Sequence, residues 1–262
     1  MKNCILSHLP GEYPWADELL CFDSIPSTND FLKKLAREGA PHGTVIIADH
    51  QTGGHGRMGR SFQSPAGMGV YMSILLRPNC PATELMHLTC AAAVAMCDAV
   101  HRATGLRPGI KWTNDLVFQK KKLGGILTEL GFSSKGTVDF AIIGIGINCN
   151  QTVSDFSPEI QDIAASLSMV TGQEQNRFRL AAAMMESLWK LDLSEKEAIL
   201  HQYRKDCVTI GQEISLVRGS QIRHGKALDV NENGALMVAF SETGVEAVDS
   251  GEVSIRGMYG YV

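Results

Sequence analysis

Two stretches of this chain concentrate side chains suited to holding anions against one another. Residues 109–129 place Lys111, Asn114, Asp115 and Lys122 around a hairpin pattern. Ile110, Trp112, Leu116 and Phe118 give its apolar signal, the run from Lys120 marks a turn, and Leu123 to Leu127 resume as a second strand. Gly124 and Gly125 remove side chains in mid-strand, which suits a backbone lying close to a ligand. Lys120 and Lys121 read as solvated turn residues. Lys122, at the strand start beside the glycines, stands where a cation reaches a bound anion.

The other stretch is Gln51-Thr-Gly-Gly-His-Gly-Arg-Met-Gly-Arg-Ser-Phe62, after the apolar strand pattern Thr44–Ala48. Its glycines expose backbone N–H groups, and Arg57 and Arg60 offer forked donors that match carboxylate and phosphate oxygens. An anion-wrapping loop and an ordinary loop with solvated arginines are both compatible with this composition. The spacing Gly54-x-Gly56-x-x-Gly59 is also that of the dinucleotide fingerprint. The fingerprint should open a helix, yet Pro65, Gly67 and Gly69 follow. It also needs an acidic residue about 20 positions on to hold a ribose, and none occurs between Asp49 and Glu84. Nicotinamide-dependent redox chemistry is therefore disfavoured.

Taken together, the two stretches resemble the biotin protein ligases, which attach biotin to carboxylase carrier domains. The family's Gly-Arg-Gly-Arg-Arg-Gly-Arg stands here as Gly54-His-Gly-Arg-Met-Gly-Arg60. Its Lys-Trp-Pro-Asn-Asp stands as Lys111-Trp-Thr-Asn-Asp115, and its Lys-x-x-Gly-Ile-Leu-x-Glu as Lys122-Leu-Gly-Gly-Ile-Leu-Thr-Glu129. Ser27-Thr28-Asn29 and Gly144-Ile-Gly-Ile-Asn148 match two further motifs, in the family's order. His55 and Met58 replace loop arginines, Thr113 replaces a proline, and Phe62 stands where a tryptophan is common.

The resemblance implies a two-step ligase that uses biotin and MgATP. Biotin is activated as biotinyl-5′-AMP and passed to a lysine of a biotin carboxyl carrier domain. It assigns catalytic roles to Lys122, Arg57 and Asp115. Ser27, Thr28, Asn29, Gln51, Gly54, His55, Gly56, Arg57, Lys122, Gly124 and Gly125 are expected around biotin. Arg57, Arg60, Phe62, Lys111, Asn114, Lys122 and Asn148 are expected around ATP. Asp115 is open to two readings, handling the acceptor amine or structural hydrogen bonding. The Gly144-Ile-Gly146 strand is likewise open to ligand contact or close packing. Alternatives in other classes are a lipoate or octanoate transferase of the same fold, a non-catalytic biotin-binding module, and a transcriptional regulator. Only 26 residues precede Ser27, too few for a three-helix DNA-binding unit, so no DNA is expected.

The 262 residues, 44% hydrophobic with a net charge of −4, allow one large and one small domain. Seven cysteines without a Cys-x-x-Cys pair suggest reduced thiols in a cytoplasmic protein. No segment reads as apolar for long enough to span a membrane, so no membrane is expected, and a homodimer is left open. The patterning predicts an α+β chain, a mixed, mainly antiparallel sheet with packed helices over 1–206 and a small SH3-like β-barrel over 207–262. Helices are expected at 28–40, 82–104, 160–169, 177–191 and 195–207. Strands are expected at 44–48, 69–76, 109–119, 122–131 and 138–148. From Val208 onward about five short strands alternate with turns at Arg218-Gly-Ser, Asn231–Gly234, Glu242–Gly244 and Ser250-Gly251.

Overall fold

The computed structural model describes residues 1–78, 80–218, 220–249 and 251–255. In chain order the first part holds α1 (Lys2–Leu6), β1 (Leu19–Ile25), α2 (Thr28–Arg37), β2 (Val45–Gln51), β3 (Gly69–Leu76) and α3 (Leu88–Thr104). It continues with β4 (Gly109–Lys111), β5 (Asp115–Phe118), β6 (Lys121–Phe132), β7 (Val138–Asn148), α4 (Leu167–Thr171), α5 (Arg177–Trp189) and α6 (Lys196–Asp206). The last part is all strand: β8 (Glu213–Arg218), β9 (Gln221–Val230), β10 (Leu236–Phe240), β11 (Gly244–Val248) and β12 (Glu252–Ile255).

The long apolar runs become the middle of a seven-stranded sheet ordered β1-β2-β3-β7-β6-β5-β4. Every residue of β3 is buried, because helices cover one face and α2 lies on the other. The β1–β2 pair is parallel, joined through α2, and the other pairings are antiparallel. A mixed, mainly antiparallel sheet is what the patterning predicted. β1 itself was not anticipated. It is an edge strand with only Leu19 and Ile25 buried, so its apolar period is weak.

α2 starts where the capping residues placed it. Ser27 is extended (φ −154°) and its hydroxyl accepts the Asp30 N–H at 3.3 Å. The expected helix over 82–104 is interrupted at Met86-His87, with a 3₁₀ turn at Ala82–Leu85 before α3. This Ala82–Thr104 stretch is long and apolar enough to cross a membrane, contrary to the expectation that no segment is. Most of it is buried against α5, α6 and β6, and a core helix meets the same criterion.

Two expected elements differ. The single strand over 109–119 folds back on itself at residues 112–114, so that β4 and β5 pair with Lys111 opposite Asp115. Tertiary partners hold this turn, which contains the cis Trp112–Thr113 peptide. Trp112 N–H donates to Thr209 Oγ1 at 2.9 Å, and Tyr203 Oη donates to the Thr113 carbonyl at 2.9 Å. The expected helix over 160–169 is mostly turn. Its backbone instead pairs with the start of β6: Lys122 N–H donates to Ile163 O (2.7 Å) and Ala165 N–H to Lys122 O (2.9 Å). Only α4 remains helical there, capped by Ser166.

The C-terminal strands form a five-stranded antiparallel sheet ordered β11-β10-β9-β8-β12, consistent with an SH3-like unit. Residues 256–262 of the expected barrel, and Gly219 and Ser250 in two of its expected turns, lie outside the described residues. Val208 N–H donates to Ile110 O, and the Trp112 indole N–H donates to the Gly234 carbonyl at 2.9 Å. Trp112 thus ties the two sheets together. Replacing it with Phe keeps most of the apolar ring but leaves the buried Gly234 carbonyl without that donor. We expect a loss of about 1–3 kcal/mol in urea unfolding, with the far-ultraviolet circular dichroism of the native state unchanged.

Candidate active site

Strands β6 and β7, the turn between β4 and β5, the start of α2 and the loop after β2 enclose one cavity of about 550 Å³. The loop closes as a short hairpin: Phe62 N–H donates to Gly54 O at 2.8 Å and Gly56 N–H to Arg60 O at 2.7 Å. This carries His55, Gly56, Arg57 and Arg60 onto the cavity rim. Met58 takes a left-handed backbone (φ 57°) with a largely exposed side chain.

The two central cations are each held by one of two consecutive residues. Asn114 Oδ1 accepts from Arg57 Nη1 at 3.1 Å, while its own amide donates to the Ile126 carbonyl at 2.7 Å. Asp115 Oδ1 lies 2.7 Å from Lys122 Nζ. Both pairs sit in a wall that is only partly open to solvent, where a charge pair is screened less than at the surface. Gly125 lies beside the ion pair, and a Cβ there would reach to 3.4 Å from Lys122 Nζ and Asp115 Oδ1. Lys111, 5% exposed, lines the same cavity.

The opposite end is neutral and polar. Gln51 Oε1 accepts from Thr28 N–H (2.8 Å) and lies 3.1 Å from Thr28 Oγ1, while Gln51 Nε2 donates to Ser64 Oγ. Ser27, Thr28 and Asn29 are all buried on the cavity wall. A polar end, an apolar middle formed by Ile126, Leu127 and Ile145, and a cationic end suit a ligand with a neutral hydrogen-bonding head and an anionic tail.

Of the residues singled out from the sequence, the cavity gathers Ser27, Thr28, Asn29, Gln51, His55, Gly56, Arg57, Arg60, Phe62, Lys111, Asn114, Asp115, Lys122, Gly125 and Asn148. Gly54 and Gly124 stand outside the lining, and packing accounts for both. A Cβ on Gly54 would lie 2.7 Å from Phe62 O, and one on Gly124 would meet the Gly146 carbonyl. Asn148 spends its amide on protein partners, donating to Ala165 O and accepting from Gln151 Nε2. The alternatives left open for Gly144 and Gly146 now have a physical account. Cβ atoms there would run into the Asn29 side chain and the Phe62 ring, so β7 is bare where those two groups cross it.

Several lining residues were not anticipated. Phe156 precedes the segment read as a helix, and Ile160, Ile163 and Ala164 belong to it. Val253 comes from the start of the last described strand, β12, and Gly251 is the residue before that strand. Ser73 is fully buried and bonds to both Thr28 and Asn29. A serine inside an otherwise apolar strand was the available signal, since a buried hydroxyl needs partners.

With this geometry the comparisons with known proteins can be placed. Residues 21–148 match the model of the biotin/lipoate A/B protein ligase family, and residues 209–256 match the biotin protein ligase C-terminal domain. The bifunctional ligase/repressor BirA of Bacillus subtilis is 35% identical over 245 residues, spanning 90% of this chain and 74% of that protein. The chain belongs to the biotin protein ligase family. The biotin--[acetyl-CoA-carboxylase] ligase of Mycobacterium tuberculosis is 31% identical over 219 residues, 80% of this chain and 79% of that one. Among solved structures, the biotin protein ligase from Aquifex aeolicus in complex with biotin and ATP superposes with a TM-score of 0.75. It is 30% identical, and the match covers 91% of this chain and 98% of that chain.

Family membership directs attention to acyl activation and away from thiol chemistry. All seven cysteines are unpaired. Burial pushes the Cys90 and Cys149 thiols up to about 12, so each stays a protonated, inert side chain at neutral pH. The notch at Gly144 offers a sharper test of the ligase site. Gly144→Ala forces Asn29 to move, an overpacking that costs about 1–3 kcal/mol. We expect weaker biotin binding by calorimetry together with a lower melting temperature. Unchanged affinity would show that Asn29 does not shape the polar end.

Proposed function

We propose that this ligase joins biotin to a lysine of a biotin carboxyl carrier domain in two steps, with biotinyl-5′-AMP as the intermediate. The observation that carries the reading is the paired arrangement Arg57–Asn114 and Lys122–Asp115 at the cationic end of the cavity. A fold match to a ligase holding biotin and ATP supports it.

In the first step an oxygen of the biotin carboxylate attacks the α-phosphorus of ATP. A P–O bond forms and the bond to pyrophosphate breaks. Both reactants are anions, and two unit charges 4 Å apart repel by about 4 kcal/mol at an effective dielectric of about 20. Lys122 and Arg57 offset that repulsion and gain most where negative charge is densest, on the oxygens around the phosphorus under attack. Asp115 and Asn114 hold these cations in place beforehand, so little reorganisation is needed when the substrates meet.

In the second step the ε-amine of the carrier lysine attacks the acyl carbon. The C–O bond to AMP breaks and the amine loses a proton. Asp115, beside Lys122 at the junction, is the carboxylate positioned to hydrogen-bond that amine and accept its proton. AMP is the leaving group, so no enzyme nucleophile is required, in keeping with the inert buried thiols.

Ser27, Thr28, Asn29 and Gln51 take the neutral ring of biotin. Arg60, Lys111 and Phe62 take the nucleotide, with His55 and Gly56 closing the rim. Asn148 orders the wall through Ala165 and Gln151. Magnesium enters with ATP as part of the co-substrate. Among the described residues no three His, Cys, Asp or Glu side chains cluster as a protein cage, which suits an ion held mainly by phosphate oxygens and water. The unit boundary at 206/207, a cytoplasmic location and a homodimer belong to the same proposal. The two separately matched segments support the first, and the seven unpaired cysteines support the second.

The test is exchange of labelled pyrophosphate into ATP, which this mechanism makes dependent on biotin. Lys122→Ala is expected to lower the exchange rate by roughly 10²–10³-fold, the scale of one electrostatic stabiliser, with folding intact. Exchange without biotin, or near-normal exchange by the variant, would contradict the reading.

A further inference from the structure

We infer that Glu129 and Ser73 are positioning residues that set the hydrogen-bond polarity of the biotin pocket. The inference rests on the reading of Ser27, Thr28 and Gln51 as the site of biotin's ring. Neither residue faces the reacting atoms, and neither was among the expected site residues.

The polarity follows from counting donors. Asn29 Nδ2 donates to Glu129 Oε2 at 2.8 Å, and Lys33 Nζ lies 3.0 Å from the other oxygen, Oε1. A carboxylate accepts only, so it fixes which way the Asn29 amide faces. Asn29 Oδ1 is thereby turned to Ser73 Oγ, 2.6 Å away. Ser73 Oγ is also 2.7 Å from Thr28 Oγ1, and Thr28 Oγ1 is 3.1 Å from Gln51 Oε1.

Three oxygen–oxygen contacts are thus served by two hydroxyl protons. The two shortest contacts are repulsive without a proton between them, whereas one at 3.1 Å tolerates its absence better. The Asn29 carbonyl has no proton to give, so Ser73 donates to it, and Thr28 then turns its own proton towards Ser73. Gln51 Oε1 keeps one bond, from Thr28 N–H at 2.8 Å. This leaves the two acceptor lone pairs of Thr28 Oγ1 and one on Gln51 Oε1. Ser27 Oγ already accepts from Asp30 N–H, so its proton is the donor at this end. Two acceptors flanking a donor are the complement of a cyclic urea, with two N–H groups about one carbonyl.

Glu129→Gln reverses the chain. The new amide can donate to Asn29 Oδ1, so Asn29 flips and presents N–H to Ser73. Ser73 then donates to Thr28, and Thr28 to Gln51, which fills the second lone pair of Gln51. Ser73→Ala reaches the same end, because Thr28 has only Gln51 left to donate to. Each variant costs the ring one acceptor and leaves an N–H unmet in a buried pocket, which corresponds to about a tenfold or greater loss of affinity.

The experiment is calorimetric titration of the full chain with biotin and, separately, with ATP. The proteins are wild type, Glu129→Gln, Ser73→Ala and the double variant, with thermal melts to confirm folding. We expect each single variant to bind biotin at least about tenfold more weakly with ATP affinity unchanged. The double variant should be no worse than either single, since both act through one chain of bonds. A merely structural role would instead weaken both ligands together or give additive losses, and either result overturns the proposal. Should Glu129→Gln fail to fold, Ser73→Ala decides alone by the same biotin-to-ATP comparison. Normal biotin binding by the variants refutes the relay while leaving the ligase reading intact. A wild-type chain that binds no biotin overturns both.

Discussion

Lys122 and Arg57 are held over one cavity by Asp115 and Asn114, neighbours in the chain. Much of the structure serves that juxtaposition. A tight turn between β4 and β5 is needed to present two adjacent side chains to two different cations. The turn is kept closed by the Trp112 and Tyr203 hydrogen bonds to and from residues far along the chain. The C-terminal sheet therefore contributes to the site twice, by bracing the turn and by lining the cavity through Gly251 and Val253. On the proposed mechanism, holding the cations beforehand matters because the substrates are both anions, and an enzyme gains rate only from interactions that strengthen towards the transition state.

The middle of the sheet imposes the second constraint. β7 is the central strand, yet it lacks side chains at Gly144 and Gly146, where Asn29 and Phe62 lie across it. The glycines let two separate elements lie over one strand. They bring α2 with its buried polar network to one end, and the glycine-arginine loop to the other. The cavity is in this sense a notch in the sheet floor, walled by segments that the notch itself admits.

Most of the candidate site was legible in the sequence because the side chains that the cavity gathers come from a few short stretches. Lys122, Asn114 and Asp115 lie within one hairpin, and Arg57 and Arg60 within one loop, so composition and spacing already point to them. The fold was legible where burial is complete, as in β3 and β7, whose observed limits coincide with the apolar runs at 69–76 and 138–148. Legibility fails where tertiary partners override local pattern. Residues 163–165 pair with the β6 backbone at Lys122 instead of continuing a helix. Trp112 and Thr113 turn because their partners lie some 90 to 120 positions away. β1 was missed because an edge strand is buried only at its two ends. The Glu129–Asn29–Ser73–Thr28 chain was invisible for the same reason, since it joins four residues from three elements that only the fold brings together.

On the proposed mechanism the cations held by Asn114 and Asp115 meet where acyl group and phosphate join. A crystal structure of the protein with a stable analogue of biotinyl-5′-AMP tests this most directly. We expect Lys122 Nζ within about 3 Å of oxygens on the acyl–phosphate junction. We also expect Arg57 on the same junction and the bicyclic ring against Ser27, Thr28 and Gln51. An analogue bound with its junction away from Lys122, which remained paired with Asp115 alone, would contradict that mechanism.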